Sequence, residues 1–167
     1  ALFGAKTLYS TAGSTLCIQA MVYLAALAAS AAGAKPLILA ARNAHKAFLH
    51  AAALLGVQVQ WLYPEGDTAY YSGVVTPQAV QAALNAKNRP TAVYITSPDY
   101  TGNLADIAGI AAVCHKAGVL LLVDNAHGAY LNFLPESPHP IALEADLCCD
   151  SAHKTLPVLT GGAYLHL

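Results

Sequence analysis

The sequence predicts a three-layer α/β/α domain built on a mainly parallel sheet. Three observations predict it. Strand-like and helix-like runs alternate along the chain, as repeated β-α-β units do. The run Val119-Leu120-Leu121-Leu122-Val123 is continuously apolar, as a strand covered on both faces must be. Gly33, Gly56 and Gly118 each follow a helix-like run, where helices stop.

Taken in order, Lys6 to Ser10 reads as a short strand. Ala12-Gly13 turns the chain, and Ser14 or Thr15 caps a long helix to about Ala32. Pro36 to Ala41 is the next strand, Ala44 to Leu55 a helix, and Val57 to Leu62 a strand. Tyr63 to Val75, with two glycines and a proline, reads as a loop. Thr76-Pro77 places a cap and a first-turn proline at the start of a helix to about Ala86. Thr91 to Thr96 is a strand and Ser97 to Asn103 a loop. Ala105 to Ala117 carries Ile107, Ile110, Ala111 and Cys114 at helical spacing. Residues 132–145 are irregular and proline-rich, Asp146 to Cys149 is a strand, and Ala163 to Leu167 is another. No helix is evident between those last two strands, so the final one is expected to run antiparallel.

Composition bounds the function. At 167 residues the chain is one domain or part of one. Charged residues make up 10% and apolar residues 56%, against about 25% charge in typical soluble domains. That shortage implies surface covered by further chain or by a partner subunit. A net charge of −1 leaves no electrostatic footprint for nucleic acid or an acidic membrane. Cys17, Cys114, Cys148 and Cys149 lack zinc-ligand spacing and read as buried reduced thiols of a cytosolic protein, with no metal expected. Leu16 to Ala32 approaches the length of a membrane span. Its alanine content and lack of flanking basic clusters favour a buried core helix. The chain begins Ala1-Leu2-Phe3 and ends inside an apolar run, so both ends are expected to be cuts within a larger protein.

In open α/β sheets, ligands bind outside the carboxyl ends of the strands, and the polar residues of interest fall there. Gly13-Ser14-Thr15 opens a helix, where amides and hydroxyls suit a phosphate or simply make a cap. His45 follows the second strand and either stacks on a flat cofactor ring or caps a helix. Asp124 ends the apolar run 119–123, and His127 follows it closely. Thirty positions on, Lys154 lies in Ser151-Ala152-His153-Lys154 after another strand. An acid at one strand end and a lysine in a polar turn after the next is what pyridoxal 5'-phosphate chemistry needs. The lysine forms a Schiff base, and the carboxylate holds the ring nitrogen protonated. Ser151 and His153 are candidate phosphate donors, with His153 also a candidate for proton transfer. Desolvation and nearby positive charge are expected to make Lys154 nucleophilic. Tyr100 and Thr101, in the loop after the fourth strand, are candidate wall contacts.

Together these segments resemble fold-type I pyridoxal-phosphate enzymes, and most closely the ornithine/lysine/arginine decarboxylase family. The resemblance rests on Ala12-Gly13-Ser14-Thr15, Arg42-Asn43-Ala44-His45-Lys46, Ser97-Pro98-Asp99-Tyr100-Thr101-Gly102 and Asp124-Asn125-Ala126-His127-Gly128-Ala129. It also rests on Ser151-Ala152-His153-Lys154-Thr155-Leu156-Pro157 with Leu159-Thr160-Gly161-Gly162-Ala163. It implies that residues 1–167 are the core of a large cofactor-binding domain. It implies phosphate binding by Ser14, Thr15, Ser151 and His153, ring stacking by His45, pairing of the ring nitrogen with Asp124 and His127 beside it, and Lys154 as the Schiff-base lysine. It further implies decarboxylation of lysine, arginine or ornithine in polyamine metabolism, in bacterial cytoplasm, by a homodimer or higher homo-oligomer. Asn125 stands where the family commonly has glutamate, and Tyr130 where histidine is common. Two other readings remain: another pyridoxal-phosphate lyase or aminotransferase, such as a cysteine desulfurase, and a non-catalytic domain that keeps the fold.

Overall fold

A computed structural model of the chain describes residues 2–64, 74–86 and 88–167. The middle of the loop expected over 63–75 lies outside the described residues. The elements are β1 (Thr7–Ser10), α1 (Gly13–Ala31), β2 (Leu37–Ala41), α2 (Lys46–Leu55), β3 (Gln58–Leu62), α3 (Pro77–Leu84) and β4 (Ala92–Thr96). Then come α4 (Ile107–Ala117), β5 (Leu120–Asp124), a 3-10 turn (Ala129–Phe133), β6 (Leu147–Asp150), α5 (Ala152–Thr155) and β7 (Ala163–His166).

The strands form one sheet in the order β1-β7-β6-β5-β4-β2-β3. Pairs β2–β3, β2–β4, β4–β5 and β5–β6 are parallel. β7 runs antiparallel to both of its neighbours, β6 and β1. The reason is local. A parallel return needs a crossover, usually a full helix. The only helix between β6 and β7 is the four-residue α5, so the chain turns back beside β6.

Alternation along the strands sorts side chains onto two helical layers. Ile38, Ala40, Tyr94, Leu122 and Cys149 pack with Ile18, Met21, Val22 and Phe48 from α1 and α2. Leu39, Ala41, Val93, Ile95, Leu121 and Val123 pack with Val80, Ile107, Ile110 and Cys114 from α3 and α4. The same parity decides which face each strand end serves.

Helix starts differ from the sequence reading in instructive ways. Ser14 and Thr15 do not cap α1. Ala12 is the cap position and makes no side-chain cap bond. Ser10 instead accepts the Ala12 N–H at 3.2 Å, and its hydroxyl donates to the Gly13 carbonyl at 3.2 Å. Gly13 takes φ +73° as its N–H meets the Gly161 carbonyl, a conformation that favours glycine. α2 begins at Lys46 rather than Ala44, because His45 is its cap: Nδ1 accepts the Ala47 N–H at 3.2 Å. Thr76 caps α3 as expected, accepting from Ala79 at 3.2 Å. Asp106 caps α4, accepting from Gly109 at 2.9 Å. Asp146 lies outside β6: it accepts the Leu121 N–H at 2.7 Å and pairs with His115 at 3.2 Å.

By length and composition α1 could cross a membrane. In the fold one face, Cys17, Ile18, Met21, Val22, Ala25 and Ala29, is buried against the sheet. The other leaves Leu16, Tyr23 and Leu27 about half exposed, so the expectation of a buried core helix is met on one face only. All four cysteines are buried and unpaired. Burial pushes the Cys17 thiol up to about 11 and that of Cys114 up to about 12, so both stay protonated at neutral pH.

Leu122, fully buried at the centre of the sheet, should be costly to truncate. Leu122→Ala is expected to destabilise the fold by about 2–5 kcal/mol in denaturant unfolding. Leu159→Ala, on an exposed side chain, should change it by less than about 0.5 kcal/mol.

Candidate active site

One pocket opens at the carboxyl ends of β4, β5 and β6 on the α1 side. Ser14, His45, Tyr100, Asp124, His127 and Lys154 line it, with Ile18, Thr96 and Ala126. Each polar member has a local reason for its place.

Asp124 is the last residue of β5 and shares the parity of Leu122, which directs it toward α1. It is 1% exposed. An anion there needs donors, and three surround it. The Tyr94 hydroxyl donates to Oδ2 at 3.0 Å, the Ala126 N–H to Oδ1 at 3.2 Å, and the Cys149 thiol lies 3.6 Å from Oδ1. Burial, and then the Asp124 charge, push the Tyr94 hydroxyl well above its ordinary range, so it remains a donor. The Tyr94 ring stacks on Phe48 at 4.2 Å, which locks the hydroxyl's position.

Lys154 lies in α5, and its Nζ is 3.1 Å from His127 Nε2. Burial, and then the neighbouring lysine charge, lower the His127 pKa. The imidazole is thus neutral at pH 7 and can accept from the ammonium. Lys154 itself is exposed, so the desolvation expected around it is not supplied by the described residues. His45 is both the α2 cap and a pocket wall. Its pKa is also lowered, chiefly by burial, with the Lys154, Lys46 and His50 charges contributing and Asp124 opposing.

Ser151 donates to Ser14 Oγ at 2.6 Å. That bond brings the first turn of α1 against the start of α5. Because Ser14 does not cap α1, its hydroxyl is available for this contact. Thr15 is exposed and outside the pocket lining. His153 also turns away: Nδ1 lies 3.1 Å from the Gly162 carbonyl and donates to it. Tyr100 reaches the pocket between His127 (5.4 Å) and His45 (6.5 Å between ring centres). Thr101 is instead bound back to Asp99 Oδ1, by its N–H at 2.8 Å and its hydroxyl at 2.9 Å.

A second buried carboxylate lies on the other face of the sheet. Asp150 Oδ1 accepts from Asn125 Nδ2 at 2.6 Å. Its Oδ2 lies 3.2 Å from His139 Nε2 and 3.0 Å from His166 Nε2. His139 Nδ1 accepts the Ile141 N–H, so its Nε2 carries the proton and donates to Asp150. Burial pushes the Asp150 carboxyl up, but the hydrogen bonds from His139 and His166 outweigh it and hold the group below its ordinary value. Donor atoms of His139, Asp150 and His166 lie within 4.8 Å of one another, a spacing a metal ion could also use. Here they are turned into each other as hydrogen-bond partners. Sequence reading missed Tyr94, His139, Asp150 and His166. The available signals were single polar residues inside otherwise apolar strands: Tyr94 in β4, Asp150 in β6 and His166 in β7.

Comparison with known proteins identifies the family and the fold. A Bacillus subtilis protein, YaaO, is 39% identical over 134 residues, covering 78% of this chain and 28% of its own length. An arginine decarboxylase of Bacillus cereus is 31% identical over 170 residues, covering 100% of this chain and 36% of its own. The chain thus spans about a third of the length of the curated relatives it matches. The sphingosine-1-phosphate lyase structure from Burkholderia pseudomallei superposes with a TM-score of 0.78 at 21% identity, over 97% of this chain and 38% of that one. The fold is that of the large domain of fold-type I pyridoxal-phosphate enzymes. The family described as Orn/Lys/Arg decarboxylase, major domain, matches residues 1–167, and this chain belongs to it.

Proposed function

We propose that this chain is the core of the large, cofactor-binding domain of a pyridoxal-phosphate-dependent decarboxylase acting on lysine, arginine or ornithine. The observation that carries the reading is the convergence of Asp124, His127, His45 and Lys154 in one pocket at the strand ends. The donor set fits the cofactor. A buried carboxylate ringed by donors suits a cationic ring nitrogen. A paired amine suits an aldehyde. Hydroxyls at a helix N-terminus suit a phosphate.

Bound there, pyridoxal phosphate supplies an aldehyde for Lys154 and a ring that takes up the electron pair left when carbon dioxide departs. Asp124, aimed by Tyr94 and Ala126, keeps a proton on the ring nitrogen. His127 accepts from Lys154 and orients its amine. The neutral His45 offers a flat apolar surface for stacking. Ser14 and Ser151, joined by their hydrogen bond, present hydroxyls to the phosphate, and His153 and Thr15 complete that end only by rotating their side chains. A homodimer or higher homo-oligomer in the cytoplasm, feeding polyamine synthesis, is part of the proposal. The oligomer is supported by the half-exposed apolar face of α1 and by the exposure of Lys154. The desulfurase alternative calls for a reactive loop cysteine, and the four cysteines of this chain are all buried.

The test uses the full-length protein that carries this chain. Added pyridoxal phosphate should give a yellow band that borohydride traps as an adduct on Lys154. Lys154→Ala should abolish both, and their persistence would refute the assignment. Carbon dioxide release should be seen with at least one of lysine, arginine and ornithine. Asp124→Ala should lower that turnover by about a hundredfold or more, and an unchanged rate would remove Asp124 from the chemistry.

A further inference from the structure

The two residues at the centre of the proposed chemistry lie on neighbouring segments, Asp124 at the end of β5 and Lys154 in α5 after β6, and a buried side-chain bond joins those segments. Asp124 ends β5 and Asn125 follows it, facing the opposite side of the sheet. Asp150 ends β6, one residue before Ser151 and four before Lys154. Asn125 and Asp150 are both 0% exposed, and the amide donates to the carboxylate at 2.6 Å. A backbone bond, Asn125 N–H to the Cys149 carbonyl at 2.9 Å, runs beside it. Asp150 is anchored in turn by His139 and by His166 of β7, and His166 meets Thr7 of β1 at 3.0 Å. The packing around the amide is close: a side chain on Gly128 would begin 2.0 Å from Asn125 Oδ1.

We propose that Asn125 and Asp150 are a positioning pair that sets the spacing between Asp124 and the Ser151–Lys154 segment, and that residue 125 must be a neutral amide because residue 150 is a carboxylate. The inference rests on the pyridoxal-phosphate reading for its consequence, not for its geometry. A carboxylate at 125 would face Asp150 at hydrogen-bonding distance in a fully buried site. Two such anions cannot both stay ionised, and one would have to take up a proton or move away. Since Asn125 is contiguous with Asp124, displacement of its side chain shifts the carboxylate that lines the pocket.

The experiment is a reciprocal swap in the full-length protein. Asn125→Asp and Asp150→Asn are made singly and together, and the double variant exchanges donor and acceptor while keeping size. Dissociation constants for pyridoxal phosphate and unfolding midpoints of the cofactor-free proteins are measured for all four. Asn125→Asp should weaken cofactor binding at least about tenfold, as expected when a buried partner is lost. The double variant should return to within about threefold of wild type, and its unfolding midpoint should recover as well. Should Asn125→Asp not fold, recovery of folding and binding in the double variant supports the pair. A swap no better than the single changes overturns it. Lower midpoints with unchanged cofactor affinity overturn the positioning role and leave a purely structural bond. A wild-type protein that binds no pyridoxal phosphate sinks the functional reading instead, and rescue or non-rescue of the unfolding midpoint then decides the pair.

Discussion

Two carboxylates end neighbouring strands on opposite faces of one sheet, and neither can be buried there as an anion without its own donors. Asp124 is met by a tyrosine hydroxyl, a backbone amide and a thiol. Asp150 is met by an asparagine amide and two imidazoles. Much of the polar organisation follows from this requirement. The donors come from β4, β6, β7, the turn after β5 and the segment ahead of β6, so satisfying the two charges also fixes those elements relative to each other.

The strand alternation that separates the two acids gives them different roles. On the α1 face the sheet end is a shallow pocket, where the carboxylate is at the floor and the amine at the rim. On the other face the carboxylate is sealed, with the Phe3 ring 4.5 Å from that of His166 and 5.4 Å from that of His139. One face offers reach to a ligand, and the other offers rigidity. The pocket is open above Lys154, which agrees with a chain that spans about a third of its relatives' length and carries little surface charge.

Much of the fold was legible because its signals are local. Gly56 and Gly118 stop helices by adopting left-handed backbone, and Thr76-Pro77 starts one by capping and preset φ. The antiparallel final strand followed from the missing crossover helix. The misread starts are equally local in cause. Ser14 and His45 were each open to two uses, and sequence does not say which hydrogen bond wins. Ser10 took over the work at the start of α1 and left Ser14 for Ser151. His45 serves both as cap and as pocket wall.

By itself the sequence determined the alternation of elements, Asp124 at one strand end and Lys154 just after the next strand, and the family-like order of motifs around them. These depend on side-chain periodicity and on residues adjacent in the chain. Only the tertiary structure decided that the Lys154 amine meets His127, that His153 turns to Gly162, and that Tyr94 aims Asp124. It alone joined Asn125 to Asp150, and Asp150 to His139 and His166. Those contacts link residues from 9 to 30 positions apart. They form because strand pairing brings distant strand ends side by side, where burial favours partners for polar groups.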